Sequence, residues 1–408
     1  MSFDLIFILA GTVVFTGVIV LLVIVLSYIS SRLCPSGDVT IGINENKQSV
    51  EVTTGQTLLS ALMDKDIYIP SACGGGGTCG MCKCIVNEGG GDILPTETGF
   101  IAKPDRRLGL RLACQVKVRQ NMKITLPEEV LDVKKWECTV RSNNNVATFI
   151  KEFIVDLPPG ENLNFRAGGY VQIDVPKYNL QFSEFDIPED YKKDWDHFGF
   201  LNLKSSNDES CFRAYSMANH PAEGNCVMLN VRIATAPKGF NVPPGLASSY
   251  IFNLKPGDKV MVSGPYGEFF LKDTDREIVF IGGGAGMAPM RSHIFDLFHT
   301  QKTKRKVSFW YGARSKREIF YEDDFKNIED KFDNFSLNIA LSEPQDEDEW
   351  TGYVGFIHQV LLDNYLDHHK DPTEVEYYLC GPPMMLQAVN KMLYDLGVEQ
   401  EMIAYDEF

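Results

Sequence analysis

The densest group of chemically reactive residues is the stretch SACGGGGTCGMCKC at Ser71–Cys84, which holds four of the ten cysteines. Three of them have the spacing C-x5-C-x2-C, and a further cysteine, Cys114, lies in the separate segment RLACQ. A [2Fe–2S] cluster takes four thiolates, two on each iron, so three can come from one loop and the fourth from a distant element. The spacing therefore favours an iron–sulfur site at this loop.

Two other chemistries compete for the same loop. Zinc sites usually take two C-x2-C pairs or Cys/His mixtures, but only Cys79 and Cys82 form such a pair here and no histidine is near. A disulfide oxidoreductase motif normally lies beside a βαβ unit. The glycines at Gly74–Gly77 and Gly80 suit a backbone that wraps closely around a cluster, because glycine adopts positive φ without strain. Cys84 is expected on the following strand, as a bystander.

The segment RAYSMAN at Arg213–Asn219 combines groups that suit a flavin. It looks like the R-x-Y-S motif of the ferredoxin–NADP reductase superfamily. In that interpretation Arg213 pairs with the flavin pyrophosphate, Tyr215 stacks on the isoalloxazine, and Ser216 donates a hydrogen bond near N5, where hydride arrives. The motif is short, and a buried strand with an edge arginine is the alternative.

A glycine turn and two serines in GLASSYI (Gly245–Ile251) strengthen the flavin interpretation. Ser248 and Ser249 open a predicted helix, and the free N–H groups at a helix N-terminus suit a pyrophosphate. By the same resemblance the flavin is FAD, with Gly245, Ser248 and Ser249 in its binding site.

A third pattern indicates a dinucleotide site. VFIGGGAGMAPM (Val279–Met290) is a predicted strand, a glycine-rich turn and a helix start, which brings a diphosphate close to backbone N–H groups. YYLCGPPMM (Tyr377–Met385) follows another strand, at the sheet edge where α/β proteins bind ligands. An isolated cysteine is more often a core residue, but the two patterns occur together in the expected order. The predicted nucleotide-binding residues are Gly282, Gly283, Gly284, Gly286, Cys380, Gly381 and Pro382.

The same superfamily places its C-G-P motif beside the nicotinamide and often sets a terminal aromatic residue over the flavin. This resemblance makes Tyr215, Ser216, Cys380 and the aromatic Phe408 the expected catalytic residues.

The choice between NADH and NADPH stays open from the residues alone. The segment YGARSKRE supplies Arg314, Lys316 and Arg317, which suit a 2′-phosphate. Family resemblance favours NADH.

An apolar run at Leu5–Ile29 carries no charge. At about 1.5 Å per residue it reaches roughly 37 Å, enough to cross a hydrocarbon core of about 30 Å. A cleaved signal peptide has a basic start and a shorter apolar core, whereas here Asp4 precedes a long run. Arg32 follows the run, so the positive-inside rule puts the rest of the chain in the cytoplasm. The sequence predicts a single-pass anchor in residues 1–32, and the uncharged span offers no ion path of its own.

Size and charge restrict the function classes. A chain of 408 residues is expected to form about two to four domains. The net charge of −16 argues against nucleic acid, because phosphate backbones are bound through lysine and arginine. Most cysteines are scattered, unlike those of a small secreted disulfide framework, so a reducing compartment is expected.

Beyond the anchor, the pattern of predicted strands and helices changes twice along the sequence, which predicts three domains. Residues 38–127 alternate short strands, one helix capped by Thr57 and the cysteine loop. Residues 130–273 are rich in strands, and residues 274–408 alternate short apolar strands with helices, as in a parallel α/β sheet. The acidic and aromatic insert Lys177–Ser210 fits no simple element; it is expected as a surface excursion or a docking surface.

The cysteine loop and RLACQ together resemble the β-grasp ferredoxin domains, of α+β fold, that are fused to flavin reductases. In full order, with anchor, ferredoxin domain, antiparallel β-barrel FAD domain and parallel-sheet NADH domain, the chain resembles the F-subunit family of the bacterial sodium-translocating NADH:quinone oxidoreductases. The resemblance implies metal ligands at Cys73, Cys79, Cys82 and Cys114.

The resemblance also implies a mechanism. NADH passes a hydride to FAD, and single electrons then go to the [2Fe–2S] cluster, to other membrane subunits of a hetero-oligomeric complex, and through them to ubiquinone. The implied location is the bacterial inner membrane, with sodium movement left to other subunits. Two alternatives remain. A reductase component of a multicomponent oxygenase has the same three domains but normally lacks an anchor. A membrane-tethered redox sensor has no need of the complete nicotinamide motif set.

Overall fold

The computed structural model describes residues 11–25, 37–131, 133–236, 240 and 242–406. These residues form two compact units that divide at residues 132 and 133, and the short stretch Ala72–Gly74 is grouped with the second unit. The two units are described separately below.

Helix α1 covers residues 11–25 and is exposed along its length. Among the described residues, no helix is both long enough and apolar enough to cross a bilayer. The predicted span Leu5–Ile29 extends into residues 1–10 and 26–36, which lie outside the described residues.

The first unit is built on a five-stranded sheet in the order β2-β1-β5-β3-β4. The strands are β1 (Asp38–Ile43), β2 (Gln48–Thr53), β3 (Lys83–Glu88), β4 (Leu110–Leu112) and β5 (Met122–Thr125). Strands β1 and β2 form an antiparallel hairpin, whereas β1 and β5 run parallel. Helix α2 (Leu58–Met63) and two further short helices, α3 (Lys103–Arg107) and α4 (Glu128–Leu131), complete the unit.

Helix α2 buries an apolar face of leucines and an alanine. The Thr57 hydroxyl accepts a hydrogen bond from the Ser60 N–H at 3.1 Å, which satisfies one free donor of the first turn. The predicted hairpin, the helix capped by Thr57, and the strands in KCIVNEG and MKITLPEEV are thereby confirmed.

The second unit begins with a six-stranded antiparallel sheet in the order β11-β8-β13-β6-β7-β12. The strands are β6 (Lys134–Ala147), β7 (Ile150–Asp156), β8 (Tyr170–Val175), β11 (Cys211–Ser216), β12 (Cys226–Arg232) and β13 (Lys259–Tyr266). Met217, directly after β11, bridges to Leu229 in β12 at the other end of this order. Helix α6 (Leu246–Asn253) packs against the inner face of the sheet through Ile251 and Phe252.

The insert Lys177–Ser210 is folded, so the expectation of no simple element was wrong. It contains the antiparallel pair β9 (Tyr178–Gln181) and β10 (Lys204–Asn207) and helix α5 (Glu189–His197). The α5 side chain of Trp195 is fully buried, and its indole N–H donates to the Thr148 carbonyl at 2.8 Å. The sequence pattern was weak because a few irregularly spaced aromatic residues hold the insert, rather than a periodic apolar face.

The rest of the second unit is a parallel six-stranded sheet in the order β17-β16-β15-β14-β18-β19, as predicted. Its strands are β14 (Ile278–Gly283), β15 (Val307–Ala313), β16 (Phe335–Leu341), β17 (Tyr353–Val354), β18 (Glu376–Cys380) and β19 (Ile403–Asp406). Its helices are α7 (Met287–Phe295), α8 (Glu322–Glu329), α9 (Ile357–Asn364) and α10 (Pro383–Asp395). Both faces of the central strands are buried, as expected where crossover helices cover a parallel sheet.

Candidate functional site

The cysteine loop of the first unit lies between α2 and β3. Antiparallel pairing of β3 with β4 brings the end of the loop beside the residue that follows β4, and Ala113 N–H donates to the Cys82 carbonyl at 2.8 Å. The side chains of Cys82 and Cys114 are hydrogen-bonded to each other. This contact, followed by burial, raises the pKa of Cys82 far above its ordinary value. Two thiolates held this close repel each other unless a cation lies between them, so the pair suits a metal.

The glycines of the loop take the backbone conformation expected of a close wrap. Gly77 and Gly80 have φ of 75° and 68°. A Cβ added at Gly77 would lie 2.6 Å from Nε2 of Gln115, and one at Gly80 would lie 2.5 Å from the Phe100 ring. The turn therefore has no room for side chains, because the neighbouring groups already fill that space.

Three further cysteines, Cys73, Cys79 and Cys84, belong to the same stretch of sequence, and Cys79 is partly buried. Cys73 lies in the short stretch that is grouped with the second unit. Cys84 is in β3 and is 1% exposed, and its burial raises its pKa to about 12. Among the described residues, no set of three or more His, Cys, Asp or Glu side chains is placed to hold a single metal ion. A [2Fe–2S] cluster differs from such a site because each iron takes only two thiolates, and the Cys82–Cys114 pair fits one iron.

A buried ion pair, not anticipated from the sequence, lies close to Cys84 at the end of the cysteine stretch. The Arg111 guanidinium donates to the Glu97 carboxylate at 2.7 Å, and their side chains are 7% and 0% exposed. Arg111 also donates to the carbonyls of Gly90, Gly91 and Asp92 at 2.9–3.0 Å. Burial alone raises the pKa of Glu97, but the hydrogen bonds from Arg111 and from backbone N–H groups outweigh it and lower that pKa overall.

In the second unit, the R-x-Y-S residues lie on β11. Arg213 and Tyr215 alternate with their neighbours and so project from one face of the strand. The Arg213 guanidinium donates to the Phe212 carbonyl at 2.7 Å. Tyr215 is half-buried against the sheet core, and burial raises the pKa of its hydroxyl.

Ser216 ends β11 and contacts a residue that the sequence analysis missed. Its Oγ donates to the Asp406 carboxylate at 2.5 Å, although the two residues are 190 positions apart. Burial raises the pKa of Asp406, and the hydrogen bond from Ser216 offsets only part of that rise. The one sequence signal was an acidic residue in AYDEF, next to the predicted terminal aromatic residue.

The parallel register places Cys380 between this pair and the glycine turn. Gly282 of β14 is level with Cys380 of β18, which is level with Asp406 of β19. The Cys380 side chain is fully buried, and burial followed by the charge of Asp406 raises its pKa well above the ordinary value. A Cβ added at Gly286 would lie 2.0 Å from the Cys380 carbonyl oxygen. The two predicted nicotinamide patterns are therefore in direct contact at the carboxyl ends of adjacent strands.

The remaining residues of the two patterns line the same contact. A Cβ at Gly283 would lie 3.5 Å from Pro382, and one at Gly381 would lie 3.1 Å from the Gly283 carbonyl oxygen. Gly284 follows with φ of 55° and begins the turn into α7. The Met385 side chain also packs here, because its sulfur would lie 2.8 Å from a Cβ at Gly283 and its methyl carbon 2.5 Å from one at Gly381.

The predicted pyrophosphate residues lie at the start of α6. Gly245 is the N-cap residue of this helix. The hydroxyls of Ser248 and Ser249 donate to the Gly245 carbonyl at 3.1 and 2.7 Å, and Ser248 Oγ also accepts from Ala234 N–H at 3.1 Å. The two serines thus brace the helix N-terminus, which keeps its backbone N–H groups directed outward.

The three basic residues considered for a 2′-phosphate already have partners in the chain. Arg317 is paired with Asp194 of the insert, Lys316 Nζ donates to the Asp348 carbonyl at 3.2 Å, and Arg314 lies 3.7 Å from Glu318. Each of the three therefore has a contact within the chain, and the side chains of Arg314 and Arg317 remain 51% and 41% exposed.

The predicted catalytic residue Phe408 lies outside the described residues, so its position relative to Ser216 stays a prediction.

Three family profiles match successive parts of the chain. A 2Fe-2S iron-sulfur cluster binding domain matches residues 41–119, an oxidoreductase FAD-binding domain matches residues 195–271, and an oxidoreductase NAD-binding domain matches residues 280–391. The matches support the ferredoxin, FAD and NAD assignments in the predicted order.

Curated relatives match almost the whole chain. The F subunit of the Na(+)-translocating NADH-quinone reductase of Serratia proteamaculans is 55% identical over 98% of this chain and 99% of its own length. The F subunit of the same reductase in Idiomarina loihiensis is 56% identical over 98% of both chains.

Solved structures resemble the fold at lower identity. A cytochrome P450 reductase of Amycolatopsis, GcoB, has a TM-score of 0.62 and 24% identity over 91% of this chain and 98% of its own. A ferredoxin reductase in carbazole 1,9a-dioxygenase has a TM-score of 0.58 and 24% identity over the same shares of the two chains. At this identity the likeness concerns the fold alone.

Proposed function

This chain belongs to the family of Na(+)-translocating NADH-quinone reductase F subunits, and from that premise we propose that it is the electron-input component of such a complex. It takes hydride from NADH at its FAD domain and passes single electrons through a [2Fe–2S] cluster to membrane subunits and finally to ubiquinone. The cofactors supply the redox chemistry, namely two-electron uptake by FAD and one-electron transfer by the cluster.

The chain's own residues at the hydride end bind, orient and hold protons. Arg213 would pair with the FAD pyrophosphate, and the N-terminus of α6 would offer its backbone N–H groups to the same pyrophosphate. Tyr215 supplies an aromatic face for the ring system. The Ser216 hydroxyl would donate to the flavin ring near N5, and its 2.5 Å contact with Asp406 holds it in place. Cys380, held between the glycine turn and Asp406, marks the nicotinamide position.

At the cluster end, Cys73, Cys79, Cys82 and Cys114 are the proposed thiolate ligands. The close Cys82–Cys114 contact supports one iron with that pair of ligands. The glycines leave no room for side chains at Gly77 and Gly80 of the cysteine loop, and the buried Glu97–Arg111 pair stabilises the neighbouring segment. The fold thereby holds the ligand residues in place, so few side chains have to become ordered when the cluster assembles.

The proposed domain boundaries are 1–32 for the anchor, 38–127 for the ferredoxin domain, 130–273 for the FAD domain and 274–408 for the NADH domain. We also propose that residues 5–29 cross the bacterial inner membrane once, that the FAD domain closes as a barrel, and that the rest of the chain is cytoplasmic. The uncharged run supports the span, and the Met217–Leu229 bridge supports closure. Phe408 is the proposed aromatic cover of the flavin.

The observation that carries the proposal is the convergence of Ser216, Cys380 and Asp406 beside the glycine turn, in a chain that also carries the cysteine loop. The test uses the purified full-length chain. We expect bound FAD and two irons per chain, bleaching of the flavin by NADH in preference to NADPH, and a [2Fe–2S] EPR signal on reduction. Colourless protein without iron and flavin would contradict the proposal.

Cys114→Ala separates the two cofactors within this test. Because it removes one of four ligands, the EPR signal should disappear while FAD stays bound. A matched control is Cys138→Ala, a buried cysteine of β6 that should leave the signal intact. A retained signal in Cys114→Ala would bring Cys84 into the ligand set.

The second candidate is a reductase component for an oxygenase, which has the same three cofactor domains but normally lacks an N-terminal anchor. Deleting residues 1–32 distinguishes the two. The truncated chain should still reduce artificial one-electron acceptors with NADH but lose quinone reduction in membranes that hold the other subunits. A redox sensor would instead show no sustained NADH turnover in either form.

A further inference from the structure

Gln115, the residue after the proposed ligand Cys114, points its amide at the cysteine sulfur. Gln115 Nε2 lies 3.5 Å from Sγ of Cys114, within hydrogen-bond range for a sulfur acceptor. The same Nε2 would lie 2.6 Å from a Cβ at Gly77, so the amide is packed against the glycine turn. The group therefore occupies the wall of the proposed cluster site while its own backbone lies outside the loop.

A second contact holds the other end of this amide. The Thr96 hydroxyl donates to Oε1 of Gln115 at 2.9 Å, which leaves Nε2 to face the sulfur. The opposite orientation would set the amide oxygen against a thiolate, where two acceptors repel. The next residue along the chain, Glu97, is fixed by Arg111 and by Leu112 N–H at 3.0 Å. The segment that holds the Thr96 hydroxyl is thus anchored by a buried ion pair.

A hydrogen-bond donor directed at a ligand sulfur stabilises the oxidised and reduced states of the cluster to different extents. Reduction adds negative charge to the cluster and its thiolates, so an N–H bond to sulfur is stronger in the reduced state. Such a hydrogen bond raises the reduction potential of the cluster. It also distinguishes the iron to which that cysteine is bound from the other iron.

We propose that Gln115, oriented by Thr96, is a tuning residue that raises the reduction potential of the [2Fe–2S] cluster through its N–H bond to Cys114. This inference rests on the proposed function, because it assumes that Cys114 is a cluster ligand. It assigns to the segment RLACQ a role beyond supplying the fourth thiolate. It also explains why the turn at Gly77 carries no side chain, since a Cβ there would displace the amide from the sulfur.

The test is an EPR-monitored redox titration of the full-length chain and of three variants. Gln115→Leu keeps a similar side-chain volume but removes the donor, so its midpoint potential should shift to more negative values. Gln115→Glu replaces the donor with a carboxylate and should shift further in the same direction at neutral pH. Thr96→Val leaves the amide in place without its anchor and should give the smallest shift. The EPR g values of both Gln115 variants should change, because the donor faces one iron only.

The matched control is Thr98→Val. Thr98 lies in the same segment, but its hydroxyl donates to the Pro95 carbonyl at 2.7 Å rather than to Gln115. It should titrate as the wild type does, and the flavin potentials should be unchanged in every variant.

The outcomes are distinct from those of the proposed function. Wild-type chain without an EPR signal would overturn the cluster assignment itself. A wild-type signal with unchanged potential and g values in the Gln115 variants would overturn this inference alone. If Gln115→Leu does not retain iron, Gln115→Glu and Thr96→Val decide by the same measurements: equal potentials reject tuning, and graded negative shifts support it.

Discussion

Two carboxylates, one in each unit, occupy opposite electrostatic environments beside the two proposed redox sites. Glu97, close to Cys84 at the end of the cysteine stretch, is fully buried but bonded to Arg111, and its pKa is lowered overall. Asp406, beside Cys380, accepts a hydrogen bond from the uncharged hydroxyl of Ser216, and burial raises its pKa. The first carboxylate is held charged as part of a brace, whereas the second is disposed to hold a proton where hydride chemistry is proposed.

Burial alone does not decide the protonation state of these two acidic residues, because the hydrogen-bonding partner of each carboxylate decides it. A cation and several N–H donors outweigh the cost of burying a charge, as at Glu97. The Ser216 hydroxyl does not outweigh it at Asp406. Rigidity is thus concentrated beside the proposed cluster site and proton affinity beside the proposed hydride-transfer site. Four predictions test this contrast.

The largest expected effect comes from Glu97→Gln. The substitution leaves the Arg111 guanidinium buried without its counter-charge, which costs about 3–5 kcal/mol in comparable cases. Hydrogen–deuterium exchange of the full chain should show faster exchange across β3, β4 and the cysteine loop, together with loss of iron. Glu88→Gln is the control, because the Lys123–Glu88 pair is exposed on both sides. Equal exchange rates in the two variants would show that the Glu97–Arg111 pair does not stabilise this region.

A smaller effect is expected at the hydride end. Ser216→Ala removes the hydroxyl at the proposed N5 position and should slow flavin reduction by NADH on the order of 10²-fold, the lower range for a positioned proton-transfer group. Asp406→Asn keeps an acceptor for Ser216 but not the charge, and should slow it less. Stopped-flow flavin bleaching measures both rates. A stability loss in place of a rate loss would make this pair structural, like that of Glu97.

The pH dependence of local stability should have opposite signs at the two carboxylates. The pKa of Glu97 is lowered on folding, so its contribution is present above the ordinary value of about 4.3 and is lost as pH falls through the folded pKa. The pKa of Asp406 is raised on folding, so stability there declines as pH rises from about 3.9 through the folded pKa. Residue-resolved hydrogen–deuterium exchange, recorded at each pH unit from pH 3 to pH 7, measures how local stability near each carboxylate changes with pH. Slopes of the same sign would refute the contrast.

The smallest effect is expected from an exposed pair, which gives a lower limit for the comparison. Arg317 and Asp194 are 41% and 36% exposed, and such pairs contribute about 0.2–1 kcal/mol. Asp194→Asn should change the thermal unfolding midpoint only slightly and leave NADH kinetics intact. A shift as large as that of Glu97→Gln would mean that the insert matters more to the packing of the second unit than its exposure indicates.

The parts of this chain that sequence reasoning found are those whose chemistry is local. The cysteine spacing, the R-x-Y-S strand and the glycine turn each lie within one short segment, so residue type and order are enough. Asp406 was missed because its meeting with Ser216 depends on the register of β18 and β19, which the sequence does not encode in any short pattern. Arg111 and Glu97 were missed because a buried pair looks in sequence like two ordinary surface residues.

The insert illustrates the same limit in packing. Its composition is acidic and lacks periodicity, yet Trp195 is fully enclosed by aromatic rings that belong partly to other segments, including Phe252 at 5.8 Å. Such a small aromatic core depends on neighbours that are distant in sequence. A window of local hydrophobicity therefore underestimates its order.

Trp195 has a further consequence. Its indole is hydrogen-bonded to the carbonyl of Thr148, and the N–H and hydroxyl of the same Thr148 donate to Glu318, shortly after the strand β15 of the NADH domain. Trp195 is thus an intrinsic fluorophore at the contact between the FAD-binding and NAD-binding parts of the chain, and a variant that keeps it as the sole one of the four tryptophans would report on that contact without a label.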